Sequence, residues 1–121
     1  MKRKILIVDD EPVVLDILGK KLEIRNFEVL TARDGVQGME KARNESPDLI
    51  LLDELMPNKD GMTMLKELKD DPELCKIPVI MVTARRAARD KSRGESLGAT
   101  AYVMKPAGFY DILRYIEWYT Q

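Results

Sequence analysis

The sequence predicts an α/β domain in which a five-stranded parallel sheet carries helices on both faces. Three observations carry that prediction. Five short apolar runs recur along the chain, segments with helical spacing separate them, and three runs are nearly continuous in Val, Ile, Leu and Met. Strands buried on both faces have that last composition. At 121 residues, 45% hydrophobic and 34% charged, the chain reads as one domain over 1–121 that can close a core without disulfides or structural metal.

The elements follow in order. "KILIV" (4–8) is the first expected strand, and a helix follows in which Val14, Leu18 and Leu22 sit four apart. Pro12 stands near its start, where a missing N–H does no harm. "EVLTA" (28–32) is a more mixed run, as edge strands tend to be, and Val36 and Met39 follow Asp34-Gly35 in the next helix. "DLILL" (48–52) is almost wholly apolar and is followed by Met62, Leu65 and Leu68 at intervals of three. "PVIMV" (78–82) precedes a weaker helical stretch, 86–97, which contains Gly94 and has Gly98 as a plausible C′ residue. "AYVM" (101–104) is the second mixed run, and Phe109, Ile112, Leu113 and Ile116 then mark the stripe of a packed helix. Five β-α units with right-handed crossovers place helices on both faces of a parallel sheet. Ligands of such sheets bind beyond the carboxyl ends of the strands.

Composition excludes several functions. Twenty basic and 21 acidic side chains leave a formal net charge of −1, so no global field favours nucleic acid or an anionic membrane. The chain has no histidine, which removes Ser-His-Asp and Cys-His catalysis, most catalytic zinc sites and any phosphohistidine of its own. With Cys75 as its one cysteine it forms no internal disulfide, which suits a reducing compartment. "MKRKILIV" imitates a signal peptide, but its apolar part is too short and charge follows at once. No run approaches the length of a membrane span. A cytoplasmic location is expected.

The strand ends hold the chemistry. The first run ends on Asp9, Asp10 and Glu11, the third on Asp53, the fourth on Thr83, and the fifth on Lys105 before Pro106. Each alone has an ordinary explanation: a helix cap, a solvated terminus, an acidic pair favoured by the next helix dipole. Together, on parallel neighbours, they would bring three carboxylates, a hydroxyl and an ammonium to one edge. Carboxylates so close repel, so at least one is protonated or a cation is present. With oxygen donors alone, Mg²⁺ is the natural choice. A carboxylate beside Mg²⁺ and Lys⁺ can attack a phosphoryl group, which makes Asp53 the candidate phosphoacceptor.

The motifs "ILIVDDEP", "DLILLDELMPNKDG", "PVIMVTA" and "GATAYVMKP" resemble, in order and spacing, the receiver domain of two-component response regulators. The resemblance covers essentially the whole chain and implies a flavodoxin-like (βα)5 three-layer sandwich with strand order 2-1-3-4-5. It implies that Asp53 accepts the phosphoryl group and that Asp10 binds Mg²⁺ directly, with Asp9 as second ligand or acting through water. It assigns the backbone carbonyl of Leu55 to the metal, Lys105 to a phosphoryl oxygen, a cis peptide before Pro106, and Thr83 and Tyr102 to the switch. Tyr102 would swing inward on activation. The implied function is a phosphorylation-dependent signalling switch rather than an enzyme with a metabolite substrate. Its partners would be a histidine kinase or phosphotransfer protein and a downstream effector protein, without direct nucleic-acid or membrane binding, as a monomer or a weak phosphorylation-dependent dimer.

Three positions depart from the family pattern. Glu54 stands where an apolar residue is usual, and could bind the metal, repel it or point away. Thr100-Ala101 replaces the acidic pair common in regulators that dimerise through the fifth strand and its flanking helices. Leu55 and Arg85 occupy positions that tune phosphoryl lifetime in the family. Arg85, Arg86, Arg89, Lys91 and Arg93 form a basic cluster interrupted by Asp90 and Glu95, either a solvated face or a contact for an acidic protein. The last helix carries Phe109, Tyr110, Tyr115, Trp118 and Tyr119, enough aromatics for a docking face. Two rival readings remain: a receiver-like binding module that no longer switches, and a haloacid-dehalogenase-type phosphatase, whose D-x-D motif "DDE" matches poorly.

Overall fold

The three near-continuous apolar runs form the middle of the sheet. The computed structural model describes residues 2–56, 58–84, 98–105 and 108–121, with Thr83, Ala84 and Lys105 described in their backbone alone. Its strands are β1 (Lys4–Val8), β2 (Glu28–Ala32), β3 (Leu49–Asp53), β4 (Val79–Ala84) and β5 (Ala101–Lys105). They pair in parallel, in the order β2-β1-β3-β4-β5. The mixed runs are therefore the edges, as their composition predicts. The expected helix over 86–97, the basic cluster from Arg85 to Arg93, and Pro106 lie outside the described residues.

Three strands differ from expectation in their bounds: β3 runs Leu49–Asp53 rather than 48–52, β4 Val79–Ala84 rather than 78–82, and β5 to Lys105 rather than Met104. The third strand starts at Leu49, just after Asp48, whose carboxylate accepts the Lys4 N–H at 2.7 Å and whose own N–H donates to the Lys4 carbonyl at 2.8 Å. The fourth runs on to Ala84 because β5 continues alongside it, with Thr83 opposite Met104 and Ala84 opposite Lys105.

The described helices are α1 (Pro12–Ile24), α2 (Gly35–Glu45), α3 (Gly61–Asp70) and α4 (Phe109–Tyr119). Pro12 begins α1, where its missing N–H is harmless. Asp34 and Asp60 cap α2 and α3 by accepting the Gln37 and Thr63 N–H groups. Period-2 alternation splits the sheet's side chains between two cores. On one face Leu6, Val8, Ile50, Leu52, Val79 and Met81 pack under α2 and α3. On the other, Ile5, Ile7, Leu49, Leu51, Ile80 and Val82 pack under α1 and α4. Ile112, Leu113 and Ile116 seat α4, and of its five aromatics Phe109 alone joins that core. Tyr110 and Trp118 stand well exposed. Among the described residues no helix is long and apolar enough to cross a membrane.

Asp34 also ties α2 to the loop after β3. Its second carboxylate oxygen accepts from Asn58 Nδ2 at 2.8 Å, and the Gly35 N–H donates to the Lys59 carbonyl at 3.1 Å. Asn58 holds a left-handed backbone, φ 65°, to make that reach. The donors on Asp34, the Gln37 N–H foremost and then Asn58, hold its carboxyl below the ordinary value of 3.8. A group whose folded pKa is depressed stabilises above its unfolded pKa and loses that contribution as pH falls through the folded value. Asp34→Ala is therefore expected to cost about 1–2 kcal/mol near neutral pH. Urea titrations should show the gap between wild type and variant closing as the pH is taken below the ordinary carboxylate range. A gap that stays constant into acid would refute the assignment.

Candidate functional site

The register brings the acidic strand ends together. Val8 lies opposite Leu52, so the residues that follow β1 emerge beside the end of β3. The Asp9 N–H extends the β1–β2 ladder by one bond, to Ala32 O at 3.0 Å, and the Glu11 N–H donates to Asp9 Oδ1 at 2.9 Å. That pair of bonds orients the Asp9 carboxylate as the chain turns into α1. Carboxylate oxygens of Asp9, Asp10 and Asp53 lie within 4.8 Å of one another. Asp9 and Asp53 are only 4% and 7% exposed, and Asp10 is half-buried.

Three partly desolvated carboxylates with nothing softer among them form a donor set suited to a hard divalent cation. Mg²⁺ takes one or two carboxylates and keeps several waters, and this cluster is of that kind. Glu11, the third acidic residue of the first strand end, is exposed and outside the cluster.

The remaining expected residues fall at the same edge by backbone. Asp53 pairs with Val82, so Thr83 and Ala84 continue β4 one and two residues beyond that row. Lys105 closes β5 opposite Ala84. The Thr83 and Lys105 side chains lie outside the description. Leu55 sits in the loop after β3 with its side chain largely exposed. That loop folds back on the strand, since the Gly61 N–H donates to the Glu54 carbonyl at 2.8 Å.

Glu54 resolves into one of its three expected roles. Its carboxylate is not in the acidic cluster: it is 4% exposed and accepts the Tyr102 hydroxyl at Oε1, 2.5 Å away. Alternation explains this. Glu54 follows Leu52 by two and shares its face, over α3, while Asp53 between them points into the cluster. Tyr102 is half-buried and packs against the α2/α3 core, so its hydroxyl is not the solvated edge group that an isolated strand aromatic would present. Sequence reasoning missed this pair, the Asp34–Asn58 bond and the closeness of Gly61 to β3. Only Gly61 had a signal, an Asp-Gly step at a helix start, the pattern already visible at Asp34-Gly35.

Comparison with known proteins identifies the architecture. A family model described as the response regulator receiver domain matches residues 5–117. The alkaline phosphatase synthesis transcriptional regulatory protein PhoP of Bacillus subtilis is 41% identical over 106 residues, which cover 88% of this chain and 43% of PhoP. The DNA-binding dual master transcriptional regulator RpaA of Synechocystis is 38% identical over 110 residues, 91% of this chain and 46% of RpaA. This chain thus spans under half the length of these relatives. Among solved structures, a CheY-like response regulator receiver domain protein from Methanospirillum hungatei superposes with a TM-score of 0.90 at 32% identity, covering 97% of this chain and 92% of that one.

Proposed function

The chain belongs to the response regulator receiver family, and from that premise we propose that Asp53 is the phosphoacceptor of this phosphorylation-dependent signalling switch. The single observation behind the assignment is the cluster of Asp9, Asp10 and Asp53 at the carboxyl edge of β1 and β3. An Asp53 carboxylate oxygen attacks the phosphorus of a phosphohistidine on a partner kinase or phosphotransfer protein. The P–N bond breaks, the leaving imidazole picks up a proton from water, and an acyl phosphate remains on Asp53.

Asp10 and Asp53, with the Leu55 carbonyl and Asp9 as second ligand or through water, would hold Mg²⁺. The ion, when bound, offsets the negative charge on the transferring phosphoryl oxygens. Lys105 pairs with one of those oxygens, and Thr83 turns its hydroxyl toward another. An ionised carboxylate is itself the nucleophile and needs no general base. Tyr102 reports the new charge to the surface of β5. A switch from 1% to 99% active requires about 5.5 kcal/mol of differential stabilisation, which a metal contact and several charge-assisted hydrogen bonds can supply.

This domain's own contacts are with proteins, a reading supported by its net charge of −1, which offers nucleic acid no field. The chain turns over no metabolite, works in the cytoplasm, and is a monomer or a weak phosphorylation-dependent dimer. Intact-mass analysis after incubation with Mg²⁺ and a small acyl phosphate tests the assignment. Wild type should gain one acid-labile phosphoryl group and Asp53→Asn none. A wild type that gains nothing, while Mg²⁺ still raises its melting temperature, would establish the non-switching binding module instead.

A further inference from the structure

We propose that Glu54 is the resting partner of Tyr102, holding the tyrosine ring inward before any phosphoryl group reaches Asp53. The inference rests on the reading of Tyr102 as a switch residue and concerns how that switch is set at rest. The geometry is specific. Leu52 pairs with Met81 and Met81 with Tyr102, so these three residues form one row across β3, β4 and β5 on the α2/α3 face. Glu54, one pleat beyond Leu52, reaches over that row, and the Tyr102 hydroxyl donates to its Oε1.

Burial gives the contact its weight. A carboxylate left 4% exposed must be met by donors, because water no longer solvates it. A phenol O–H on an anion is a charge-assisted bond, worth about ten- to a hundredfold in the equilibrium between its made and broken states. The ring itself packs on the α2/α3 core, so both ends of the side chain favour the inward position. An apolar residue at position 54 would offer the hydroxyl nothing and leave the ring only its packing. Phosphorylation of Asp53 therefore acts on a ring already seated, and need not draw it in from solvent.

The test uses protein labelled with 3-fluorotyrosine, whose four tyrosine signals are separable by fluorine NMR. Tyr102→Phe assigns the signal by its loss, and exposure is read as the shift on changing H₂O for D₂O. In the unphosphorylated wild type, Tyr102 should show a much smaller solvent shift than exposed Tyr110. Glu54→Leu should raise the Tyr102 shift toward that of Tyr110, and Glu54→Gln, whose amide oxygen still accepts, should fall between. After phosphorylation the Tyr102 shift should stay small in wild type and shrink in Glu54→Leu. The proposal is overturned by a wild-type Tyr102 as solvent-sensitive as Tyr110, or by a Glu54→Leu signal as sheltered as wild type. Mass analysis of the same samples keeps the two ideas apart. If Asp53 takes no phosphoryl group, the switch reading fails, while the unphosphorylated comparison still decides the role of Glu54. Should Glu54→Leu fail to fold, the Glu54→Gln shift carries the test by the same criterion.

Discussion

Gly61→Ala is expected to lower the melting temperature by roughly 10 °C or more, the consequence of about 2–4 kcal/mol lost to overpacking. The reason lies in the turn that returns the chain from β3 to α3. A Cβ at Gly61 would stand 2.2 Å from the Asp53 carbonyl oxygen and 2.8 Å from the Glu54 Cα, both backbone atoms of the neighbouring segment. Neither can rotate out of the way, so the strand end or the helix start must move. Either movement stretches the bond from the Gly61 N–H to the Glu54 carbonyl and shifts the backbone that aims Asp53. Weaker Mg²⁺ binding should accompany the lower stability. Gly19→Ala is the matched control, for its Cβ would meet only a methyl of Val29 at 3.4 Å. There the better helix propensity of alanine, up to about 1 kcal/mol, should offset the tight contact. Equal melting temperatures for the two variants would show that the close approach at Gly61 is not rigid.

Asp10→Asn should reverse the sign of a stability difference according to whether Mg²⁺ is present. Carboxylate oxygens of Asp9, Asp10 and Asp53 lie within 4.8 Å of one another. At that spacing two unit charges repel by about 3 kcal/mol at an effective dielectric near 20, less where a group is half-exposed as Asp10 is. Removing one charge in chelator should therefore stabilise the fold by about 1 kcal/mol, a gain that shrinks as salt is added. With Mg²⁺ in excess the order should invert. Wild type gains RT ln(1 + [Mg²⁺]/Kd), and the variant, short of a carboxylate, gains far less. Melting curves in chelator and across a Mg²⁺ series measure both halves. A variant less stable than wild type in chelator, or one that gains equally from Mg²⁺, would remove Asp10 from the metal site.

The proposed site was legible in the sequence to the extent that its residues sit at the ends of regular elements. Asp9, Asp10 and Asp53 each end or follow an apolar run, so the prediction of parallel strands was enough to bring them to one edge. The strand bounds drifted by one or two residues, as where β4 runs on to Ala84 alongside β5. Glu54 shows the other limit. Its residue type marked it as unusual, yet which of three roles it plays depends on what stands across the sheet.

What the sequence by itself determined is local and periodic. Apolar runs of strand length, helical stripes and polar strand ends dictate five strands, the described helices and the carboxyl edge where chemistry gathers. Those features need only the pleat and the turn of one segment, which neighbouring residues set. What only the tertiary structure decided are meetings between distant segments: Tyr102 on Glu54, 48 residues away, and Asn58 on Asp34, 24 away. Such pairs depend on strand order and on the face each residue presents after the chain has crossed over. No periodicity within either segment encodes the residue that will stand opposite.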